Sequence, residues 1–278
     1  MVNFPNAKIN LSLNIIEKRA DGFHNIESVF YPLNWCDALE IIENKNYSTG
    51  SEKCDLEISG IEIPGDLKDN LIRKAYDLLS LKRELPPLQV HLHKIIPMGA
   101  GLGGGSSDAA FFIKLVNLQF QLNITPEEQK AVAARLGSDC AFFIENKPVF
   151  ASGKGDQFEH IAVALTGYRI VVVYPGIHSN TALAYSRVVP KQPEHDLKDI
   201  LWNRPIGQWK ECLKNDFEES VFSHFPEIRE LKELLYKKGA IYASLSGSGS
   251  SVFGLFPTDK QTSLKFPANY KIYECVAT

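Results

Sequence analysis

Ile95-Ile96-Pro97-Met98-Gly99-Ala100-Gly101-Leu102-Gly103-Gly104-Gly105-Ser106-Ser107-Asp108-Ala109-Ala110 places five glycines in the seven positions from 99 to 105. Glycine weakens helices and strands and frees φ for positive values, so this stretch is a loop. Leu88 to Ile95 before it alternates as a strand does, and Ala109 to about Leu122 after it is an apolar helix for which Ser106 or Ser107 is a suitable N-cap. A strand therefore feeds a glycine loop that opens onto a helix N-terminus. Glycine amides and the unpaired N–H groups of the first turn converge there with the positive end of the helix dipole, an arrangement suited to a phosphate. It is not a Walker A loop, because no lysine lies between Gly99 and Asp108. Gly99, Gly101 and Gly104 satisfy a dinucleotide fingerprint literally, yet the preceding strand carries Gln89, His91 and His93 on one face, whereas the first strand of that fold is covered on both. Asp108 is discordant. A carboxylate in the first turn repels a bare phosphate unless a cation such as Mg²⁺ stands between them or the side chain faces away.

Outward from the loop, Ile9, Leu11, Leu13 and Ile15 alternate with Lys8, Asn10, Ser12 and Asn14, predicting a strand with one buried and one wet face, Lys8 and Asn10 pointing the same way. Short strands are expected around 28–33, 38–43 and 55–58. Asn70 precedes Leu71, Ile72, Ala75, Leu78 and Leu79 at helical spacing, and Thr125-Pro126-Glu127-Glu128 is a capping box for a helix stopped by Gly137, with Asp139 just beyond. Ala151-Ser152-Gly153-Lys154-Gly155-Asp156 reads as a turn between lobes, giving domains 1–150 and 151–278. The second half offers a strand at 169–174, helices at 199–202, 208–218 and 226–238 with Gly239 as stop, and strands at 240–245, 252–256 and 270–276.

The 278 residues are 44% apolar and 23% charged, values of a folded globular chain, with 30 basic against 33 acidic side chains and no long block of one sign. No overall field recruits nucleic acid or an anionic membrane, no run approaches a bilayer span, and no basic-then-apolar leader opens the sequence, so a cytoplasmic protein with a small-molecule partner is expected. Five scattered cysteines without a Cys-x-x-Cys pair read as reduced thiols. Cys140 beside Asp139 reads as a buried inert thiol. His91 and His93, two apart on a strand, could share a zinc ion but lack a third ligand nearby and read as a wet strand face.

The segment Pro97 to Ser107 resembles the phosphate-binding motif of the kinases grouped as galactokinase, homoserine kinase, mevalonate kinase and phosphomevalonate kinase (GHMP). Pro5-Asn6-Ala7-Lys8-Ile9-Asn10-Leu11 resembles the group's first motif, and Leu245-Ser246-Gly247-Ser248-Gly249-Ser250-Ser251-Val252-Phe253 its third, in the expected order. The resemblance implies an α+β, two-lobed fold, with a ribosomal protein S5 domain 2-like N-terminal lobe, a ferredoxin-like C-terminal lobe and the acceptor in the cleft between them. It implies an ATP-dependent kinase using Mg²⁺. The nucleotide would be held by Pro97, Gly99, Gly101, Leu102, Gly103, Gly104, Gly105, Ser106 and Ser107, with Asn70 and Lys94 nearby. The equivalents of Lys8 and Asp139 flank the acceptor hydroxyl, the aspartate as orienter and base. Arg19-Ala20-Asp21-Gly22-Phe23-His24, Asp69-Asn70-Leu71-Ile72 and Leu136-Gly137-Ser138-Asp139 are similar to members whose acceptor carries a cytidylyl group. Phe23, where that pattern commonly has tyrosine, and Tyr185 would then sandwich the base, Asn10 and His24 would read its edge and nearby polar groups, and Gly247 and Ser248 would contact substrate. A homoserine- or mevalonate-type acceptor, or a non-catalytic ligand-binding regulator of the same fold, are the alternatives.

Overall fold

The computed structural model describes residues 1–259 and 264–277. Two compact units emerge. The first comprises 1–7, 34–97 and 103–147, and the second 8–33, 98–102 and the chain from 148 onward. The last crossing, at 147–148, lies near the expected boundary, but two earlier segments belong to the second unit. Gly153 to Asp156 is not a linker: it is the turn of a hairpin between β7 (Val149–Ser152) and β8 (Gln157–His160).

The first unit is built on a four-stranded sheet in the order β1-β4-β6-β5, from β1 (Val2–Asn3), β4 (Ala38–Glu43), β5 (Cys54–Gly60) and β6 (Leu88–Lys94). Only the β5·β6 pair is parallel, and its crossover carries α1 (Leu71–Ser80). Asn70 caps α1 by accepting from Ile72 N at 2.9 Å, and Ile72, Ala75, Tyr76 and Leu79 form its buried stripe. Beyond the glycine loop run α2 (Gly104–Gln119), α3 (Pro126–Leu136) and the single turn α4 (Phe142–Glu145). The capping box at Thr125 and Glu128 closes in both directions, as the spacing predicts.

The start of α2 differs from expectation. Neither Ser106 nor Ser107 is the cap: the helix begins at Gly104, with Gly103 as N-cap in the left-handed region at φ 72°, and no side chain caps it. Glycine alone takes that conformation without strain, so the turn advances the helix by most of a turn into the glycine run.

The second unit holds two four-stranded sheets. One, in the order β2-β3-β7-β8, is begun by the long strands β2 (Asn6–Lys18) and β3 (His24–Cys36), whose ends reach into the first unit. The other, fully antiparallel, runs β10-β11-β9-β12 from β9 (Tyr168–Tyr174), β10 (Tyr242–Leu245), β11 (Val252–Pro257) and β12 (Lys271–Val276). The strands β9 and β10 are parallel and separated by β11, the split βαβ arrangement of a ferredoxin-like sheet. Between them lie α5 (Thr181–Tyr185), α6 (Leu197–Asn203), α7 (Trp209–Cys212), α8 (Glu218–His224) and α9 (Pro226–Lys237). The core joins Leu13, Ile15 and Ile26 to Val171, Val173, Leu231, Leu235, Leu245 and Phe256.

Two sequence expectations fail here. The wet face of β2 is absent: Asn6 to Ile15 are all buried, because Asn10 donates to Ser28 Oγ at 2.8 Å and Ser12 to Lys214 O at 2.8 Å, so the polar side chains find partners inside. The single helix expected at 208–218 is broken. Residues 213–216 instead extend along β2, with Leu13 N donating to Lys214 O and Asp216 N to Leu13 O.

Candidate active site

Within the second unit the three sequence motifs meet backbone to backbone. Lys8 N donates to Leu102 O at 2.9 Å, Ser251 N to Ala100 O at 3.1 Å, and Ser246 Oγ to Gly101 O at 2.9 Å while accepting from Asn10 N at 3.3 Å. A methyl group on Gly101 would lie 1.8 Å from Ser246 O, and one on Gly249 would lie 1.9 Å from Gly101 N. The loop at 98–102 and the loop at 246–251 therefore interlock through glycines. Asn215, which the sequence did not single out, clasps the second loop by donating to Leu245 O and Gly247 O, both at 2.9 Å. Its only local sign is an Asx turn onto Phe217 N. His178 packs its exposed ring against Gly99, so that a methyl there would fall 2.1 Å from Nδ1.

Lys8 and Asn10 do share a face, with Lys8 Nζ donating to Asn10 Oδ1 at 2.5 Å and lying 4.8 Å from the centre of the Phe30 ring. Lys8 is 3% exposed and Asn10 1%, so an ammonium stands desolvated beside an amide. Gly247, at φ 56°, is close enough that a methyl would lie 3.2 Å from Asn10 Oδ1, and Ser248 Oγ is 3.2 Å from Thr181 Oγ1.

The aromatic group differs from the expected sandwich. Tyr185 stacks on His24, ring centres 4.5 Å apart and 20° from parallel, and meets the ring of Phe217 edge-on. Phe23 is 57% exposed, with Lys154 Nζ 5.0 Å from its ring centre. The tight turn is set by Asp21, which accepts from Phe23 N and pairs with Arg19. Burial, with the charge of Lys18, holds the His24 imidazole below its usual pKa, so the ring is neutral at pH 7 and can both donate and accept.

In the first unit, Gly103 to Ser107 present an uncapped helix N-terminus. Beneath it lies a triad that the sequence did not reveal. Lys94, expected near the nucleotide, directs its ammonium onto Asp37 Oδ2 and, at 2.8 Å, onto Asp108 Oδ2, all three side chains being at most 4% exposed. Asp108 thus faces away from the loop, which resolves the conflict its position posed. Asn70 likewise spends its side-chain oxygen on the cap of α1. Asp139 sits half-buried in the turn between α3 and α4. Cys140 is fully buried, its thiol pushed up to about 11 by burial, an inert group. His91 Nε2 and His93 Nδ1 share Ser59 Oγ at 3.0 and 2.9 Å, and no group of three or more metal-ligating side chains occurs among the described residues.

Family models agree with this geometry: the N-terminal domain of GHMP kinases matches residues 70–147 and the C-terminal domain residues 200–271. The chain is 52% identical over 271 residues, 97% of either chain, to a 4-diphosphocytidyl-2-C-methyl-D-erythritol kinase of Bacteroides fragilis. It is 49% identical over 278 residues, 100% of this chain and 99% of the other, to the enzyme of that name from Cytophaga hutchinsonii. Among solved structures it matches a 4-(cytidine 5'-diphospho)-2C-methyl-D-erythritol kinase with a TM-score of 0.74 and 29% identity, over 92% of this chain and 90% of that one. Sequence, fold and loop geometry together make the chain a member of the 4-diphosphocytidyl-2-C-methyl-D-erythritol kinases within the GHMP superfamily, an ATP-dependent phosphotransferase with an alcohol acceptor in the non-mevalonate route to isoprenoid precursors.

Proposed function

We propose that the enzyme moves the γ-phosphoryl group of ATP onto the 2-hydroxyl of 4-diphosphocytidyl-2-C-methyl-D-erythritol. The observation that carries this reading is the run of left-handed glycines, φ 63°, 77° and 72° at Gly99, Gly101 and Gly103, leading into an α2 N-terminus that no side chain caps. Such a turn leaves backbone N–H groups for the phosphates, and Mg²⁺ enters as the counter-ion of the triphosphate, part of the nucleotide substrate.

Phosphoryl transfer through a loose transition state asks for positioning and charge stabilisation more than for covalent help. Asp139 orients the acceptor hydroxyl and receives its proton. Lys8, desolvated and steered by Asn10, stabilises the negative charge that spreads over the transferred oxygens, an effect strengthened where water is excluded. The exposed ring of Phe23 covers the cytosine, and the neutral His24, stacked on Tyr185, supplies a donor and an acceptor for its edge. Gly247 and Ser248 line the acceptor. We place the reaction in the cytoplasm, where the five unpaired thiols stay reduced.

The test is a coupled assay of ATP consumption over a panel of acceptor alcohols. Turnover is expected with the cytidylyl acceptor and not with homoserine or mevalonate. Phe23→Ala should raise KM for that acceptor roughly tenfold with little change in kcat, since a stacked base contributes about 1 to 3 kcal/mol. Asp139→Asn should lower kcat by about 10² or more. Unchanged kinetics in the first variant would point to a different acceptor, and near-normal kcat in the second would remove Asp139 from the mechanism.

A further inference from the structure

We propose that the buried Asp37–Lys94–Asp108 triad positions the phosphate cradle and takes up one proton, on Asp108, when the phosphates of a nucleotide settle at the N-terminus of α2. The inference rests on reading that N-terminus as the nucleotide site. The triad fixes both flanks of the loop. Asp37 Oδ1 accepts from Ile95 N at 2.5 Å and Ile96 N at 2.9 Å, just before the glycines, while Lys94 ties Asp37 to Asp108, one turn inside α2. It also lies directly under the first helical residue, since a methyl on Gly104 would come 3.1 Å from Lys94 Nζ.

With all three groups ionised, two carboxylates and one ammonium leave a net charge of −1 in a dry pocket, behind the positive helix end that is to receive several negative charges. Asp37 accepts from three donors, Ile95 N, Ile96 N and Lys94 Nζ. Asp108 accepts from one: Oδ2 takes Lys94, but Oδ1 is buried with no hydrogen-bond partner, as is Ser107 Oγ. A carboxylate oxygen without a donor is where a proton relieves the most. The charged groups facing this carboxyl are Lys94 from β6 and Asp37 from the junction of β3 and β4. The helices α1, α3 and α4 also pack on α2, and the largest charge effects on this carboxyl come from Lys94 and Asp37. Burial, opposed by Lys94 and reinforced by Asp37, pushes Asp108 up to about 7, which makes its carboxyl the group of the triad readiest to take a proton. Burial likewise depresses Lys94, but the two carboxylates outweigh it and leave the ammonium raised, so the proton added on binding goes to Asp108.

Calorimetry of the full-length enzyme with a non-hydrolysable ATP analogue, in buffers of different ionisation enthalpy, counts the protons exchanged. At pH 8, where the free nucleotide has already lost its own protons, wild type should take up close to one proton and Asp108→Asn close to none. The Kd of wild type should rise several-fold from pH 8 to pH 9, that of the variant should stay flat, and at pH 8 the variant should bind at least as tightly. A merely structural Asp108 would weaken binding without changing the proton count. Binding by wild type with no proton uptake and a flat Kd overturns the proposal even if the variant fails to fold, and leaves the nucleotide site standing. Failure of wild type to bind the analogue overturns both.

Discussion

Asp108 shows how far a single side chain departs from what its neighbours in sequence suggest. Burial opposes the charge of its carboxyl and pushes it up to about 7 in the folded chain, against about 3.9 when unfolded. The folded state therefore holds more protons than the unfolded one between roughly pH 4 and pH 7, so this group's contribution falls as pH rises through that window and is gone above it. Asp108→Asn removes the dependence. The stability of the variant relative to wild type should improve by on the order of 2 kcal/mol from pH 5 to pH 8 in parallel denaturant titrations; a constant difference would mean that the carboxyl does not titrate there. At this scale the residues inside the three motifs were legible, because their chemistry is local: Lys8 and Asn10 share a strand face, and the glycines announce themselves. The partners of Asp108 were not. Lys94 and Asp37 are 14 and 71 positions away, and Asp37 alone looks like an ordinary turn residue between two strands.

Caps and stops made several elements readable to the residue: Asn70 before α1, the Thr125 box before α3 and Gly239, in the left-handed region, after α9. The errors arose where a long-range partner replaced a local one. The polar face of β2 looks wet in the sequence because nothing nearby could satisfy it, and the helix expected at 208–218 yields to strand-like pairing with Leu13. The contact between the two glycine loops is equally invisible, yet it leaves under 2 Å between a methyl on Gly101 or Gly249 and the facing main chain. Gly101→Ala or Gly249→Ala must push main chain against main chain, and Gly101 adds strain at φ 77°. Each should cost more than about 3 kcal/mol or abolish folding. Gly239→Ala, in open space at φ 98°, should cost only about 1 kcal/mol. Gly207→Ala, equally open and without a positive φ, should be neutral or slightly stabilising, by about 0.4 to 1 kcal/mol. Denaturation midpoints of the four variants measure the ranking, and a Gly101→Ala protein as stable as Gly207→Ala would mean that the loops do not interlock.

The composition at 151–156, rich in glycine and charge, suggests a hinge between two sequential lobes, yet the chain passes from one unit to the other several times before that point. The reason is the long pair β2 and β3. These strands supply half of the sheet β2-β3-β7-β8 and place Leu13, Ile15 and Ile26 in a core otherwise drawn from β9, β10, β11 and the late helices. Tyr242, fully buried, also donates its hydroxyl to Leu11 O at 2.5 Å. A fragment comprising residues 148–278 keeps β7 and β8 only as a two-stranded hairpin, which is marginal in water, and bares the apolar face that β2 covered. That fragment should therefore show no cooperative urea transition and should aggregate, whereas residues 1–147 and 148–278 produced together should assemble into a soluble complex that unfolds in one transition. A cooperative transition in the isolated fragment, with a urea dependence scaled to about 130 residues, would show that β2 and β3 are dispensable to the second unit.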